Sequence, residues 1–198
     1  MDENLAKIRH DRSEKDFPFL KLEDDEWVEF AFARAKICYI LIFGAIAGGL
    51  VIMLFAFLMV LIGQPSIDAS GRNFMYMLLV ILFVMGVACG AVATMVFRGN
   101  RMFITNKHVV QLVMKAPFAK SVNIIDLPSV EDASFRQMGF LQTFFHYGTL
   151  RLSTVGDETT YTFPYADISP ADLKAISKLI TTAKEENKKN HVKWREDD

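Results

Sequence analysis

Cysteine is scarce in these 198 residues: there are two, Cys38 and Cys89, and both lie inside long uncharged stretches. A disulfide framework would need them in the aqueous parts of the chain, so none is expected, and no Cys/His spacing suits a metal. Net charge is low as well, at −1 with a pI near 6.4. That removes the global basic field that dominates nucleic-acid binding, and no nucleic-acid partner is expected. No phosphate-cradling glycine loop and no Gly-x-Ser-x-Gly elbow occurs, and neither a nucleophile–base pair nor a metal set can be assembled. The reading is therefore non-enzymatic: no catalytic residue, no cofactor, no metal.

What the chain has in excess is apolar residues, 52% of the total with 17 Phe and 10 Met, and a mean hydropathy of +0.22. Charge still reaches 23%, so it must be excluded from some stretches. Ile37 to Ile62 is one such stretch and Phe74 to Phe97 the other. As helices they would extend ~39 Å and ~36 Å at ~1.5 Å per residue, enough to cross a ~30 Å hydrocarbon core. The first is too long for a cleaved leader and follows 36 residues of acidic character, seven basic against ten acidic. Between the helices, residues 63–73 are rich in turn formers and dictate an antiparallel hairpin.

Arg34 and Lys36 precede the first helix, and Arg98, Arg101 and Lys107 follow the second, against Arg72 and Asp68 in the loop. By the positive-inside bias both termini are cytoplasmic and the loop faces outward, in the plasma (inner) membrane. The bilayer is thus an expected partner, and those five cations are candidate contacts to anionic lipid, each worth ~1 kcal/mol near the surface. Neither helix contains an ionisable residue, and Thr94 is the only hydroxyl there apart from the phenols, which fits an anchor better than a transport path. Gly44 and Gly48 are four apart, as are Gly86 and Gly90, giving each helix a close-approach face. Equal depths predict Gly44 facing Gly90 and Gly48 facing Gly86. The rival assignment is contact between chains.

After Arg98 short runs replace long ones. Asn100–Thr105 and His108–Met114 flank Asn106-Lys107, read as a tight turn because Asn tolerates positive φ. Lys120–Asp126 follows, then a weaker run over Leu127–Phe135. Phe140–Tyr147 reads as a short strand or bent connection. Gly148–Thr154 and Thr159–Tyr165 alternate around a turn at Val155–Glu158, with Leu150, Leu152, Tyr161 and Phe163 inward. The period then switches at Ser169-Pro170-Ala171-Asp172, a helix start with Leu173, Ile176, Leu179, Ile180 and Ala183 on one stripe.

The expected organisation is an acidic cytoplasmic tail (1–36), a transmembrane hairpin (37–97), an α+β domain of about six or seven antiparallel strands and a C-terminal helix (98–183), and a polar tail (184–198). A small curved sheet or barrel closed by one helix is the pleckstrin-homology (PH) architecture. Phe103-Ile104-Thr105-Asn106-Lys107-His108-Val109, Ile125-Asp126-Leu127-Pro128-Ser129-Val130 and Tyr147-Gly148-Thr149-Leu150 resemble motifs of the bacterial PH-domain, YdbS-like membrane proteins. Residues 22–183 are covered, and His108 stands where that family has Arg. The resemblance implies a PH-like antiparallel barrel or sandwich behind a membrane hairpin.

Single residues add little chemistry. His108 and His146 have no carboxylate beside them in sequence, and both are read as structural or exposed. Ser153, Asp157 and His146 carry no triad signature. Trp27, Phe30 and Phe32 are read as an interfacial belt. The expected role is a membrane-anchored scaffold presenting a protein- or lipid-interaction surface, with a protein partner or self-association. The alternative is a homo-oligomeric assembly, pore or lipid-perturbing, built from the hairpins.

Overall fold

Val28–Ala33 alternates Val, Phe, Phe against Glu, Ala, Ala, the period of a strand buried on one face. It forms β1, and that decides the architecture. In a computed structural model describing residues 3–63, 68–154 and 160–196, β1 pairs antiparallel with β2 (Arg101–Thr105) across the whole apolar hairpin. The N-terminal 36 residues are therefore no free tail. Residues 1–35 and 99–198 make one compact unit, and 36–98 make the second.

In the first unit, β1, β2, β3 (His108–Ala116) and β4 (Ala119–Asp126) form a four-stranded sheet in that order. A 3₁₀ turn at Leu127–Ser129, with Pro128 in its first turn, redirects the chain into β5 (Val130–Arg136). β5, β6 (Tyr147–Thr154) and β7 (Thr160–Asp167) make a three-stranded sheet. The corner stops β4 pairing with β5, and the one backbone pairing between the sheets among the described residues is an isolated bridge, Arg34 to Ala166. The arrangement is a sandwich, and no closed barrel is seen among those residues. Two further helices were not expected: α1 (Glu3–Asp16) in the presumed tail, and α4 (Phe140–Phe144) where a strand or bend was read. The turn at 155–158 and the part of the inter-helix loop at 64–67 lie outside the described residues.

The main core fills the space between the sheets. Met102, Ile104, Val109, Leu127, Val130, Leu150, Leu152 and Phe163 are buried there, with Phe32 beside them and Phe30 packed against the cluster. The interfacial belt expected of Phe30 and Phe32 is corrected accordingly. Helix α5 (Pro170–Glu196) closes the core with Ile176 and Ile180, flanked by Leu173, Leu179 and Ala183. Its start is a reciprocal cap: Ser169 Oγ accepts from the Asp172 amide at 3.1 Å, and Asp172 Oδ2 accepts from the Ser169 amide at 3.1 Å. The polar segment read as a tail from residue 184 continues this helix.

In the second unit, α2 (Ile37–Gly63) and α3 (Ala69–Gly99) are long and apolar enough to cross a membrane. They run antiparallel, with Tyr39 against Phe97 (4.7 Å between ring centres) and Phe57 against Tyr76 (5.5 Å). A Cβ on Gly90 would meet Ile46 at 3.2 Å and Phe43 at 3.6 Å, and one on Gly86 would meet Leu50 at 3.6 Å. The expected glycine-to-glycine contact is therefore corrected. A Cβ on Gly44 or Gly48 would meet nothing within 4 Å. They sit roughly 150° round α2 from Phe43, Ile46 and Leu50 at ~100° per residue. Branched side chains fill the grooves that glycine opens on α3, which buries more surface than two bare backbones would. Neither Cys38 nor Cys89 forms a disulfide among the described residues.

Candidate functional site

The Thr105–His108 turn and the acidic segment Glu23–Glu26 build one polar network around a buried centre, Thr105 and Glu26. Asn106 does not take positive φ, which among described non-glycine residues occurs at Asp25, His146 and Tyr165. Its side chain instead clasps the opposite segment: Oδ1 accepts from the Trp27 amide and Nδ2 donates to the Asp25 carbonyl, both at 3.0 Å. At the centre is Glu26, a buried carboxylate. Oε1 accepts from Thr105 Oγ1 at 2.5 Å and lies 2.9 Å from His108 Nδ1, while Oε2 accepts from the Glu23 amide at 3.0 Å. Burial alone would push this carboxyl up. The bonds from Thr105, the Glu23 amide and His108 outweigh it and hold Glu26 below the ordinary value of 4.5.

His108 thus does have carboxylates beside it. Nδ1 faces Glu26, and Nε2 lies 3.5 Å from the exposed Asp126. Asp126 is the cross-strand partner of His108 in the β3–β4 register, so counting the hairpin back from its turn could have found that contact. Glu26 had no such signal, being 82 residues away. The two carboxylates occupy opposite ring nitrogens and cannot converge on one ion. Thr105 is fully buried, out of reach of any substrate. His146 lies just before β6 and Ser153 near its far end, six residues beyond Tyr147 or roughly 20 Å at ~3.3 Å per residue, so they cannot form a triad; Asp157 lies outside the described residues.

This network fastens a strap. Phe17, Leu20 and Leu22 lie over Phe103, Val110 and Leu112 on the outer face of the four-stranded sheet. Trp27 is buried too, its Nε1 donating to Glu29 at 2.7 Å and Arg9 lying over its ring, which removes it from any lipid belt. Helix α1 helps hold the strap, since Ser13 Oγ accepts from the Val28 amide at 3.0 Å and His10 Nδ1 donates to the Glu26 carbonyl at 2.6 Å. The strap stops short of β4. There Val122 and Ile124 are 51% and 66% exposed, beside a groove of about 370 Å³ lined also by Leu20, Leu22, Val110 and Leu112. Lys21, Glu23 and Lys120 rim it.

The five candidate lipid cations do not form one set. Arg101 pairs with Ala33 at the start of β2, next to Arg34, which lies over the Tyr165 ring. Lys36 and Arg98 follow and precede these in sequence, both exposed, with Arg98 over Tyr39. Lys107 is at the other end of β2, about 13 Å away along the strand. There Nζ reaches Glu23 at 3.4 Å and the Asp24 carbonyl at 2.9 Å. It belongs to the strap's fastening.

Four plus three antiparallel strands in two sheets, two long apolar helices between β1 and β2, and a packed C-terminal helix define an α+β protein. Among solved structures, the chain is similar to a DUF1696 family protein with a pleckstrin-homology domain from Shewanella loihica, at 8% identity and a TM-score of 0.38 over 88% of this chain and 96% of that one. No protein-family description matches the sequence, and a search of curated proteins finds no match.

Proposed function

We propose that this chain is a membrane-anchored, non-enzymatic binding module in which the PH-like unit takes up an extended segment of a partner protein along β4, at the cytoplasmic face. The observation that carries this is the state of β4 itself. It ends the sheet order, so among the described residues one row of its backbone donors and acceptors has no strand opposite. Its central residues, Ser121 to Ile125, contain neither charge nor proline, the usual protections of an edge strand. Val122 and Ile124 offer two apolar sites on one face, spaced as alternate side chains of an added strand require. The two charge-free helices supply the anchor. A benzophenone side chain at Val122, in native membranes, is expected to crosslink one protein through an uncharged extended segment. Ile124→Lys should weaken binding of that segment at least tenfold, about 1.4 kcal/mol. Crosslinks to lipid alone, or unchanged affinity in Ile124→Lys, would refute the reading.

The open glycine face of α2 favours a second reading, self-association of hairpins into a larger assembly. A Cβ at position 48 would meet nothing within 4 Å, so Gly48→Leu should leave the hairpin intact and disrupt only contacts between copies. Native mass spectrometry is expected to show oligomers of the unsubstituted protein falling to monomer in Gly48→Leu. A monomer in both cases removes the second reading.

A further inference from the structure

Two exposed apolar features, far apart in sequence, occupy the same end of the PH-like unit. The first is the tip of the β3–β4 hairpin. Arg101, the first residue of β2, pairs with Leu112, so the arms beyond Leu112 project past the sheet by four residues, about 13 Å at ~3.3 Å each. Phe118 at the tip is 100% exposed, between the exposed Lys115 and Lys120. The second feature is α4 and its flanks. Residues 137–146 contain no Asp, Glu, Lys or Arg, yet Phe140 and Phe144 are 79% and 63% exposed, stacked on each other at 5.8 Å.

Register fixes where α4 lies. It leads into Tyr147 and Gly148 at the start of β6, Gly148 pairs with Ala166, and Ala166 bridges to Arg34. Arg34 follows Ala33, which pairs with Arg101. The Ala35 amide also donates to the Tyr165 carbonyl at 2.6 Å. So α4, the β3–β4 tip, the end of β1 and the start of β2 share one end of the unit. From this end the chain departs into both apolar helices, at Ala35 and at Gly99.

We propose that this end is a bilayer-docking rim, in which Phe118 and the Phe140–Phe144 pair enter the lipid interface while Lys115 and Lys120 meet anionic headgroups. This rests on the anchoring read from the helices. If those helices span a bilayer, Ala35 and Gly99 are held at its surface, and the elements sharing their end are held there too. Aromatic residues are suited to that layer, and exposed Phe in water otherwise gains nothing. Lysines flanking Phe118 complement anionic lipid and favour the bilayer over an apolar protein partner.

The test uses the full chain in vesicles of mixed phosphatidylcholine and phosphatidylglycerol. Spin labels are placed singly by Phe118→Cys, Phe144→Cys, Val51→Cys and Glu131→Cys in a Cys38→Ala, Cys89→Ala background. Labels at 118, 144 and 51 should shift toward collision with oxygen over a water-soluble nickel chelate, while the label at 131, at the opposite end of the strands, should not. If 118 and 144 match 131 while 51 is lipid-shielded, anchoring stands and the rim is wrong. Should 51 also be water-exposed, the anchoring itself fails and takes the rim with it. Shielding of 118 and 144 from both reagents means burial against protein and equally overturns the proposal. The unsubstituted chain provides a check independent of labelling. Phospholipids with a diazirine near the headgroup should modify residues 115–120 and 138–145; modification confined to α2 and α3 sinks the rim.

Discussion

Replacing Glu26 by Ala is expected to destabilise the two-sheet unit by ~3 kcal/mol, because it orphans a buried donor as well as losing bonds. Thr105 Oγ1, the Glu23 amide and His108 Nδ1 all direct polar atoms at this one carboxylate. Thr105 is fully buried and cannot turn to water when it goes, which leaves its hydroxyl only the His108 carbonyl at 2.9 Å. Glu26→Gln keeps one acceptor and should lose less. The effect has a pH signature with a fixed sign. Glu26 titrates below its unfolded value of 4.5 in the folded protein, so its contribution is complete above that pH and is lost as pH falls through the depressed folded value. Acid unfolding monitored at residues 17–28 by hydrogen exchange should therefore begin below about pH 4.5 in the unsubstituted protein. In Glu26→Gln that part of the pH dependence should vanish. A Glu26→Ala variant within 1 kcal/mol of the parent at pH 7 would show the network to be incidental.

Phe103→Ala is expected to cost ~3–5 kcal/mol, the range for truncating a buried aromatic. Phe103 points away from the main core, since its neighbours Met102 and Ile104 take the inner face of β2. On the outer face it contacts Phe17 at 5.1 Å and Phe19 at 5.6 Å edge-on, with Leu20 above. Its loss should release the strap while the sheets stay paired, so exchange should rise over residues 17–28 far more than over β6. Equal increases in both would mean that the outer cluster is not a separate layer. Glu26→Ala and Phe103→Ala free the same strap, so their double mutant should fall short of the sum of the two. With the strap loosened, the groove beside β4 loses its Leu20–Leu22 wall, and binding at β4 should weaken with it.

The β2–β3 and β3–β4 hairpins, the inward face of β6 and the stripe on α5 were legible because each is a local matter of period. Alternation or a 3.6-residue repeat records which side is buried, and Ser169 and Asp172 sit three apart in the cap they form. β1 carried the same signal in Val28, Phe30 and Phe32. Its position just before an uncharged helix made interfacial aromatics the nearer explanation. The glycine pairs gave the depth at which α2 and α3 meet but not the rotation of α2, since several faces of a uniformly apolar helix fit equally well.

The candidate sites divide in the same way. Val122 and Ile124 read as ordinary strand residues, and only the sheet order shows that β4 is the edge and that the strap ends before it. His108 looked isolated because Glu26 reaches it across the entire hairpin. By itself, then, the sequence determined where charge is excluded, where the local hairpins and the stripe of α5 fall, and that no familiar catalytic motif accompanies them, all properties set by neighbours within a few residues. Only the tertiary structure decided that the first 35 residues belong to the domain and that β1 completes its sheet. It also decided that a buried carboxylate pins a strap over the outer face, and that Phe118 and Phe144 share one end. The pairing of β1 and the Glu26–His108 contact close over 68 to 82 residues, and nothing in local period encodes which distant partner wins.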